Sequence, residues 1–366
     1  MKVVNTTIGL FVNQNYIKKL DLQIEKVYDQ TKMNKELFDL KKYQSKFLSD
    51  IESRIECSKL SNIDSGKQKE AYLNTMKARS KRSRASLLQM GSLCGKEKVD
   101  NDVLVKCGLS IEMLHNMKLI LDDYFDNDLM RRGKLTFHTK YDERMLLNTS
   151  ELLLKLSNNV LVDGVHNLPK EQQKKVFGLY KQIITDIGTG VIEDLDRKDP
   201  KIELEDAHRI NDLQSTTTLR NALLMGYTLR SDVDSYDSTY RHLSIIGNTI
   251  GKVYQGFNDI EDFLSEEFQI HNKGGLYTDL KNNRKNIILG QVPREYYLSS
   301  YAMKDIISYI EENHLIERTT GELIFEVEDA KKHIQKLPNP VVRDTLLSET
   351  DRFTEKNLRK IKKNKI

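Results

Sequence analysis

Cysteine is scarce in this chain: Cys57, Cys94 and Cys107 are the three in 366 residues. Widely spaced and odd in number, they fit neither a disulfide framework nor a zinc site, and a reducing, cytoplasmic setting is the simplest expectation. Proline is rare at five residues and glycine stands at eighteen. So few helix breakers point to a mostly helical chain. No run of about 18 apolar residues occurs, which argues against a membrane span. The opening Val3 to Val12 segment is broken by Asn5, Thr6 and Thr7, so no signal peptide is expected. Charge of either sign is nearly in balance, at net +4. That bias is too small to argue for nucleic acid as a partner. A Gly-rich phosphate loop, a nucleophile elbow and a Cys–His pair are also missing.

What is present is helical periodicity. Leu20, Ile24 and Val27, then Leu37, Leu40, Tyr43, Phe47, Ile51 and Ile55, fall at helix spacing with lysines between them. Asp64-Ser65-Gly66 marks a turn, and further apolar helices are expected over 145–156 and 171–197. Hydrophobic content of 38% is enough for a core if the 31% of charged residues are placed amphipathically. The expectation is an all-α, single-domain bundle of ten or more helices around a central cavity, spanning 1–366. Residues 1–70 form an N-terminal helical arm in this reading and 356–366 a basic tail.

The most informative stretch runs from Asp122 to Gly133, DDYFDNDLMRRG. On a helix Asp122 and Asp126 are one turn apart, roughly 40° around the axis, so both carboxylates point into one volume. His115 lies two turns earlier on nearly the same face. Carboxylates this close repel unless a cation sits between them. Mg²⁺ typically uses one or two carboxylates, keeps waters and bridges to phosphate. Arg131 and Arg132 follow at once, and Gly133 ends the helix. Forked donors beside an acidic metal cluster suit a polyphosphate held by the metal. A solvated acidic face with a basic last turn is the bland alternative.

A second acidic cluster weighs against the bland alternative. Gln255, Asp259, Asp262 and Glu266 fall at i, i+4, i+7 and i+11, one stripe of a helix. Asn258, Asp262 and Glu266 fall at i, i+4 and i+8. Two such stripes on facing helices are what a metal–diphosphate site needs.

DDYFDNDLMRRGK followed by QGFNDIED resembles the two aspartate-rich motifs (DDxxD) of the trans-isoprenyl diphosphate synthases, the farnesyl and geranylgeranyl diphosphate synthase family, over roughly 70–290. The second motif departs from the pattern, with Asn258 where the family has aspartate. The family's Gly-Gly-Lys-Arg-x-Arg-Pro is matched by Lys81, Arg82 and Arg84, but Arg79-Ser80 replaces the glycines and Ala85 the proline. Asp194 matches a family aspartate. Thr216 keeps the threonine of a Lys-Thr-x-x-Leu motif whose lysine is Ser215 here. Lys273 and Arg284 stand where lid lysines close over diphosphate.

The resemblance implies head-to-tail condensation of isopentenyl diphosphate onto an allylic diphosphate, with three Mg²⁺ and a homodimer. Asp122 and Asp126 are the implied ligands on one wall, and Asn258, Asp259, Asp262 and Glu266 those on the other. Arg131 is implied to hold the allylic diphosphate, and Lys81, Arg84, His115 and Arg132 isopentenyl diphosphate. Thr216 and Gln255 are implied to present oxygens near the carbocation. A rival is a class I terpene synthase on the same fold, which the Asn258, Asp262, Glu266 spacing favours. Another is a non-catalytic partner subunit, favoured by the lost lysine at Ser215. In this fold the chain grows beside the first acidic helix, so Met117 and Lys118 form the tunnel floor. A short C15–C20 product is expected.

Overall fold

The computed structural model describes residues 45–55, 66–77, 81–131, 134–196, 199, 201–230, 237–273 and 275–364, all within the unit Tyr43–Ile366. The apolar repeat of the N-terminal region is described only from helix α1, 45–55, where Phe47, Ile51 and Ile55 are buried at 1% exposure or less. Helix α2 is Gly66–Met76, α3 is Ser83–Leu93 and α4 is Asn101–Phe125. A hairpin of two-residue strands follows, pairing Met130 with Leu135 and Arg131 with Lys134. After it come α5 (Phe137–Lys140), α6 (Glu143–Val165), α7 (Lys170–Leu195) and α8 (Leu204–Asn211). One π-helical turn, Asp212–Thr216, joins α8 to α9 (Thr217–Thr228). The remaining helices are α10 (Ser238–Glu261), α11 (Glu266–Lys273), α12 (Thr278–Lys281), α13 (Arg294–Tyr297), α14 (Ala302–Glu312), α15 (Leu315–Ile334) and α16 (Pro340–Asn364). The expected all-α bundle of more than ten helices is present among the described residues.

Aspartates start three of the long helices, α4, α6 and α10. Asp100 accepts from the Asp102 N–H, Asp142 from Met145 and Asp237 from both Thr239 and Tyr240, each meeting donors that the first turn leaves over. α4 packs along α6, α3 against α9, α9 against α7 and α10, and α10 against α15. The approach of α3 to α9 is close enough to require glycine on both sides. A Cβ on Gly91 would lie 2.0 Å from Leu223 O, and one on Gly226 1.8 Å from Leu88 O. The larger apolar core lies among α1–α4, α6, α7 and α9, and a second gathers α10, the 287–292 segment, α14 and α15.

The helix carrying the first acidic motif stops earlier than the sequence suggests. α4 ends at Phe125 with Asp126 as its C-cap, and Asn127 takes a left-handed φ of 53° that redirects the chain. Arg131 therefore sits on a strand of the hairpin, and not in a last helical turn before Gly133. The basic stretch from Lys356 continues α16: Asn357 is buried, and Lys360 pairs with Glu261 at the end of α10.

α10 and α15 also meet through two imidazoles, with His242 Nδ1 and His333 Nδ1 2.9 Å apart. Burial holds His242 below the usual histidine range, and His333, Lys336 and Arg241 push the same way. The fold thus favours the neutral ring. Its contribution is present above the unfolded value of about 6.5 and is lost as pH falls below it, because the unfolded chain then binds the proton more readily. His333→Gln should flatten the decline in melting temperature between pH 7 and pH 5. Parallel melting curves for the two proteins across that range would exclude the pair as the cause.

Candidate active site

α4 delivers the first acidic motif to a junction with α7 and the 278–286 segment. Lys118 and Asp122, one turn apart on one face, form an ion pair, their side chains 11% and 12% exposed. Asp126 pairs with Arg284, whose Nε also lies 3.2 Å from the buried Asp194 Oδ2 on α7. Asn282 Nδ2 donates to Asp126 O at 2.9 Å, and the Lys285 N–H donates to Asp194 Oδ1 at 3.2 Å. Asp123 is buried and pairs with Arg131, whose second contact is Asp128 at 3.8 Å.

This is a region of surplus negative charge. Burial pushes Asp126 up to about 7, with Asp122, Asp128 and Asp279 adding to the push and Arg284 opposing it. Burial also raises Asp123 against the pull of Arg131. Hard carboxylate oxygens gathered at one helix end are a donor set that fits Mg²⁺ with phosphate completing its shell. The closed cluster is not formed by carboxylates alone. Among the described residues no three or more His, Cys, Asp or Glu side chains are gathered to hold a metal ion.

The second acidic motif differs from the expected single stripe. α10 ends at Glu261, so its residues and Glu266, which opens α11, lie on different helices. Asn258 is exposed on the last full turn, and Glu266 is exposed too. Asp259 is buried and accepts from Gln255 Nε2 at 2.8 Å, the Ile287 N–H at 2.9 Å and Asn211 Nδ2 at 3.4 Å. Burial pushes Asp259 up to about 7, helped by Asp279 and opposed by the Ile287 N–H. Asp262, fully buried at the helix end, accepts from the Thr278 N–H at 3.0 Å, Thr278 Oγ1 at 2.9 Å and the Asp279 N–H at 3.1 Å. Its carboxylate thus holds the start of α12 instead of facing Asn258. The segment after the break is tied to a distant part of the chain. The Ser265 N–H donates to Asn364 O, at the end of α16, at 2.7 Å.

The π turn places Ser215 and Thr216 beside α10. Ser215 Oγ donates to Gln255 Oε1 at 2.9 Å, linking the position of the family's lysine to the second motif. Thr216 is 1% exposed, and a Cβ on Gly251 would come within 2.4 Å of its Cα. A π turn at this point fits the tendency of such turns to mark functional sites. The basic stretch before α3 divides its cations. Lys81 is exposed. Arg82 is buried with a φ of 49°, pairs with Glu52 at 2.7 Å and lies 3.9 Å from Glu112. Arg84 is buried, and its N–H and that of Ala85 donate to Glu112 Oε1 at 3.2 and 3.1 Å. His115 is half-buried on α4. Arg132 lies outside the described residues, as does the side chain of Lys273.

Asp123, Asp279 and Asn286 were missed by sequence reasoning, and Asp194 was noted only as a match. Asn286 Nδ2 donates to Asp259 O at 3.0 Å and to Asp279 Oδ2 at 2.8 Å, tying the two motif-bearing segments together. The four-residue spacing of Lys118 and Asp122 was the signal for their pairing. Asp262→Ala should leave three donors unmatched at the start of α12. We expect a loss on the order of 3 kcal/mol in urea unfolding, with new protease cleavage between 275 and 286. A variant as stable and as resistant as the parent would contradict the assigned role of Asp262.

Comparison with known proteins gives the same picture. Residues 67–314 match the family model described as Polyprenyl synthetase. The farnesyl diphosphate synthase of Buchnera aphidicola subsp. Acyrthosiphon pisum is 28% identical over 259 residues, covering 66% of this chain and 89% of that one. The geranylgeranyl diphosphate synthase of Sulfolobus acidocaldarius is 25% identical over 189 residues, which are 50% of this chain and 54% of that relative. A decaprenyl diphosphate synthase structure from Rhodobacter capsulatus superposes with a TM-score of 0.74 at 16% identity, covering 87% and 99% of the two chains. The last comparison establishes the fold, and the different products named by these relatives leave chain length open. With two thirds of its length matched by that family model, the chain belongs to the polyprenyl synthetase family of trans-prenyltransferases and is an enzyme of that general class.

Proposed function

We propose that the chain condenses isopentenyl diphosphate with an allylic diphosphate to give a C15–C20 isoprenyl diphosphate. The observation that carries this reading is the junction of Asp122, Asp126 and Asp194 with Arg284, hard oxygens and a forked cation at the end of a helix whose preceding turns are apolar. The chemical difficulty is to remove diphosphate from an allylic carbon while charge builds on the leaving group. Three Mg²⁺, when bound, would supply most of that neutralisation. Asp122 and Asp126 would hold them on one side, and Asn258, with Asp259 behind it and Glu266 near by in sequence, on the other. Asp262 acts in this reading by holding α12 in place. Arg131 would hold the allylic diphosphate, and Arg284 and Lys273 would close over it as the diphosphate departs. Lys81, Arg84, His115 and Arg132 would hold isopentenyl diphosphate. Thr216 and Gln255 would turn their oxygens toward the developing cation. The partly buried Met117 and Leu121 on α4 would supply an apolar wall that keeps water from it.

The cyclase reading needs Asp262 as the middle member of a triad with Asn258 and Glu266, and the commitment of its carboxylate to Thr278 and Asp279 speaks against that role. We also infer a cytoplasmic homodimer. The free, buried Cys94 and Cys107 suit a reducing compartment. Leu147 and Val162 leave apolar side chains exposed along α6, and Ile192 does so on α7.

Incubating the protein and Mg²⁺ with an allylic diphosphate, with and without isopentenyl diphosphate, tests the reaction type. Elongated diphosphate only in its presence is expected; a hydrocarbon formed without it would favour the cyclase. Asp122→Ala should lower turnover on the order of 10³-fold, and undiminished turnover in the folded variant would refute the metal role. Product length has its own test. Met117 is half-buried against the core, whereas the Lys118 ammonium is drawn to Asp122. Met117→Ala should therefore lengthen the product by itself. Chromatography of dephosphorylated products reads this out, and an unchanged length would place the tunnel floor elsewhere.

A further inference from the structure

Each aspartate of the first motif meets a cation of its own chain: Asp122 meets Lys118, Asp123 meets Arg131 and Asp126 meets Arg284. The three pairs differ in kind. Arg131 serves Asp123, a carboxylate that is itself buried. Lys118 and Arg284 take the two carboxylates to which the proposed function gives metal. Arg284 is brought from far along the sequence by a segment that is itself well anchored. Asp262 holds Thr278 and Asp279, Asn286 binds Asp259 O, and Asn282 binds Asp126 O. The guanidinium spans Asp126 and Asp194, so it closes the space between α4 and α7.

We propose that Lys118 and Arg284 are resident counter-cations of the metal site, which hold Asp122 and Asp126 until a metal–diphosphate complex displaces them. The free chain then takes up divalent metal only together with diphosphate. The inference rests on the metal assignment made under the proposed function. Its physical basis is charge and geometry. Mg²⁺ demands a near-octahedral set of oxygens at short range, and a guanidinium or ammonium in contact with a carboxylate excludes that arrangement. A divalent cation arriving alone must part both carboxylates from Lys118 and Arg284 with nothing to serve as those cations' new partner. Carried by diphosphate, it brings oxygens that offer Arg284 a new forked partner as Asp126 is released. The anchors at Asp262 and Asn286 allow this exchange to be made by the side chain while its segment stays in place.

The experiment is Mn²⁺ binding by electron paramagnetic resonance on the full chain, with and without inorganic diphosphate. The parent protein should leave Mn²⁺ free until diphosphate is added. Arg284→Gln and Lys118→Met should each bind Mn²⁺ without diphosphate, with affinity raised on the order of tenfold or more. Arg284→Lys, which keeps the charge, should stay near the parent. Arg284→Gln should also melt lower without metal and recover when Mn²⁺ is added, which a purely structural contact would not do. Should Arg284→Gln fail to fold, Lys118→Met decides the matter at Asp122. Strong Mn²⁺ binding by the parent alone would overturn the proposal and leave the metal assignment standing, as would variants that bind no better than the parent. Absence of Mn²⁺ binding in every protein even with diphosphate would overturn the metal assignment and this proposal with it.

Discussion

Negative charge at the end of α4 has to be balanced before the rest of the bundle can close over it. Two unit charges about 4 Å apart interact by about 4 kcal/mol at an effective dielectric near 20. Asp122 and Asp279 push against Asp126, and Asp194 meets the same guanidinium, so the junction gathers several carboxylates. The chain answers with Lys118 from the same helix and Arg284 from a segment far along the sequence. The first is a local answer that any helix with this spacing could give. The second requires that the loop after α11 be positioned to within a hydrogen bond, and much of the neighbouring polar structure does that. Asp259 binds Ile287, Asp262 binds Thr278 and Asp279, and Asn286 bridges Asp259 and Asp279. Asp259, Asp262 and Asn286 are buried, where an unmatched donor or acceptor costs about 1–3 kcal/mol.

The acidic residues therefore divide by burial into two kinds of work. Asp123, Asp259 and Asp262 are buried and largely committed to internal partners. Asp122 and Asp126 are partly accessible, and their partners are cations that diphosphate could draw away. The same division holds among the basic residues before α3. Arg82 is spent on Glu52, Glu112 and a backbone carbonyl, while Lys81 stays exposed. A motif defined by residue type merges these roles, and burial separates them.

The helical class and the first motif were legible in the sequence because both depend on local spacing. Few prolines, apolar residues at helix period and two aspartates four apart require no knowledge of distant contacts. The end of α4 was less legible. Asn127 adopts a left-handed conformation that asparagine tolerates but does not announce, and the helix stops before the arginines. The second motif misled for a tertiary reason. Asn258, Asp259, Asp262 and Glu266 have helical spacing, but the helix that would align them is interrupted where α16 meets the chain. Asp194 and Arg284 were visible as individual residues, and their meeting was not, since it is set by how α7 and the 278–286 segment pack.

That interruption makes the C-terminal helix part of the site's construction. Phe353 stacks on Tyr254 and meets Phe257 edge-on, so α16 follows the last turns of α10. One turn and more beyond, Lys360 pairs with Glu261, and Asn364 O takes the Ser265 N–H. The contacts run in order along the last turns of α10 and past its end at Glu261 to Ser265, so α16 braces the place where that helix stops. The stop turns Asp262 inward to α12, α12 sets the course of the following loop, and the loop carries Arg284 to Asp126. A residue near the end of the chain is in this way linked, contact by contact, to a carboxylate at the end of α4. The basic character of the last helix then has a structural use that composition alone would assign to a solvated tail: one of its lysines neutralises the glutamate at the point where the motif-bearing helix ends.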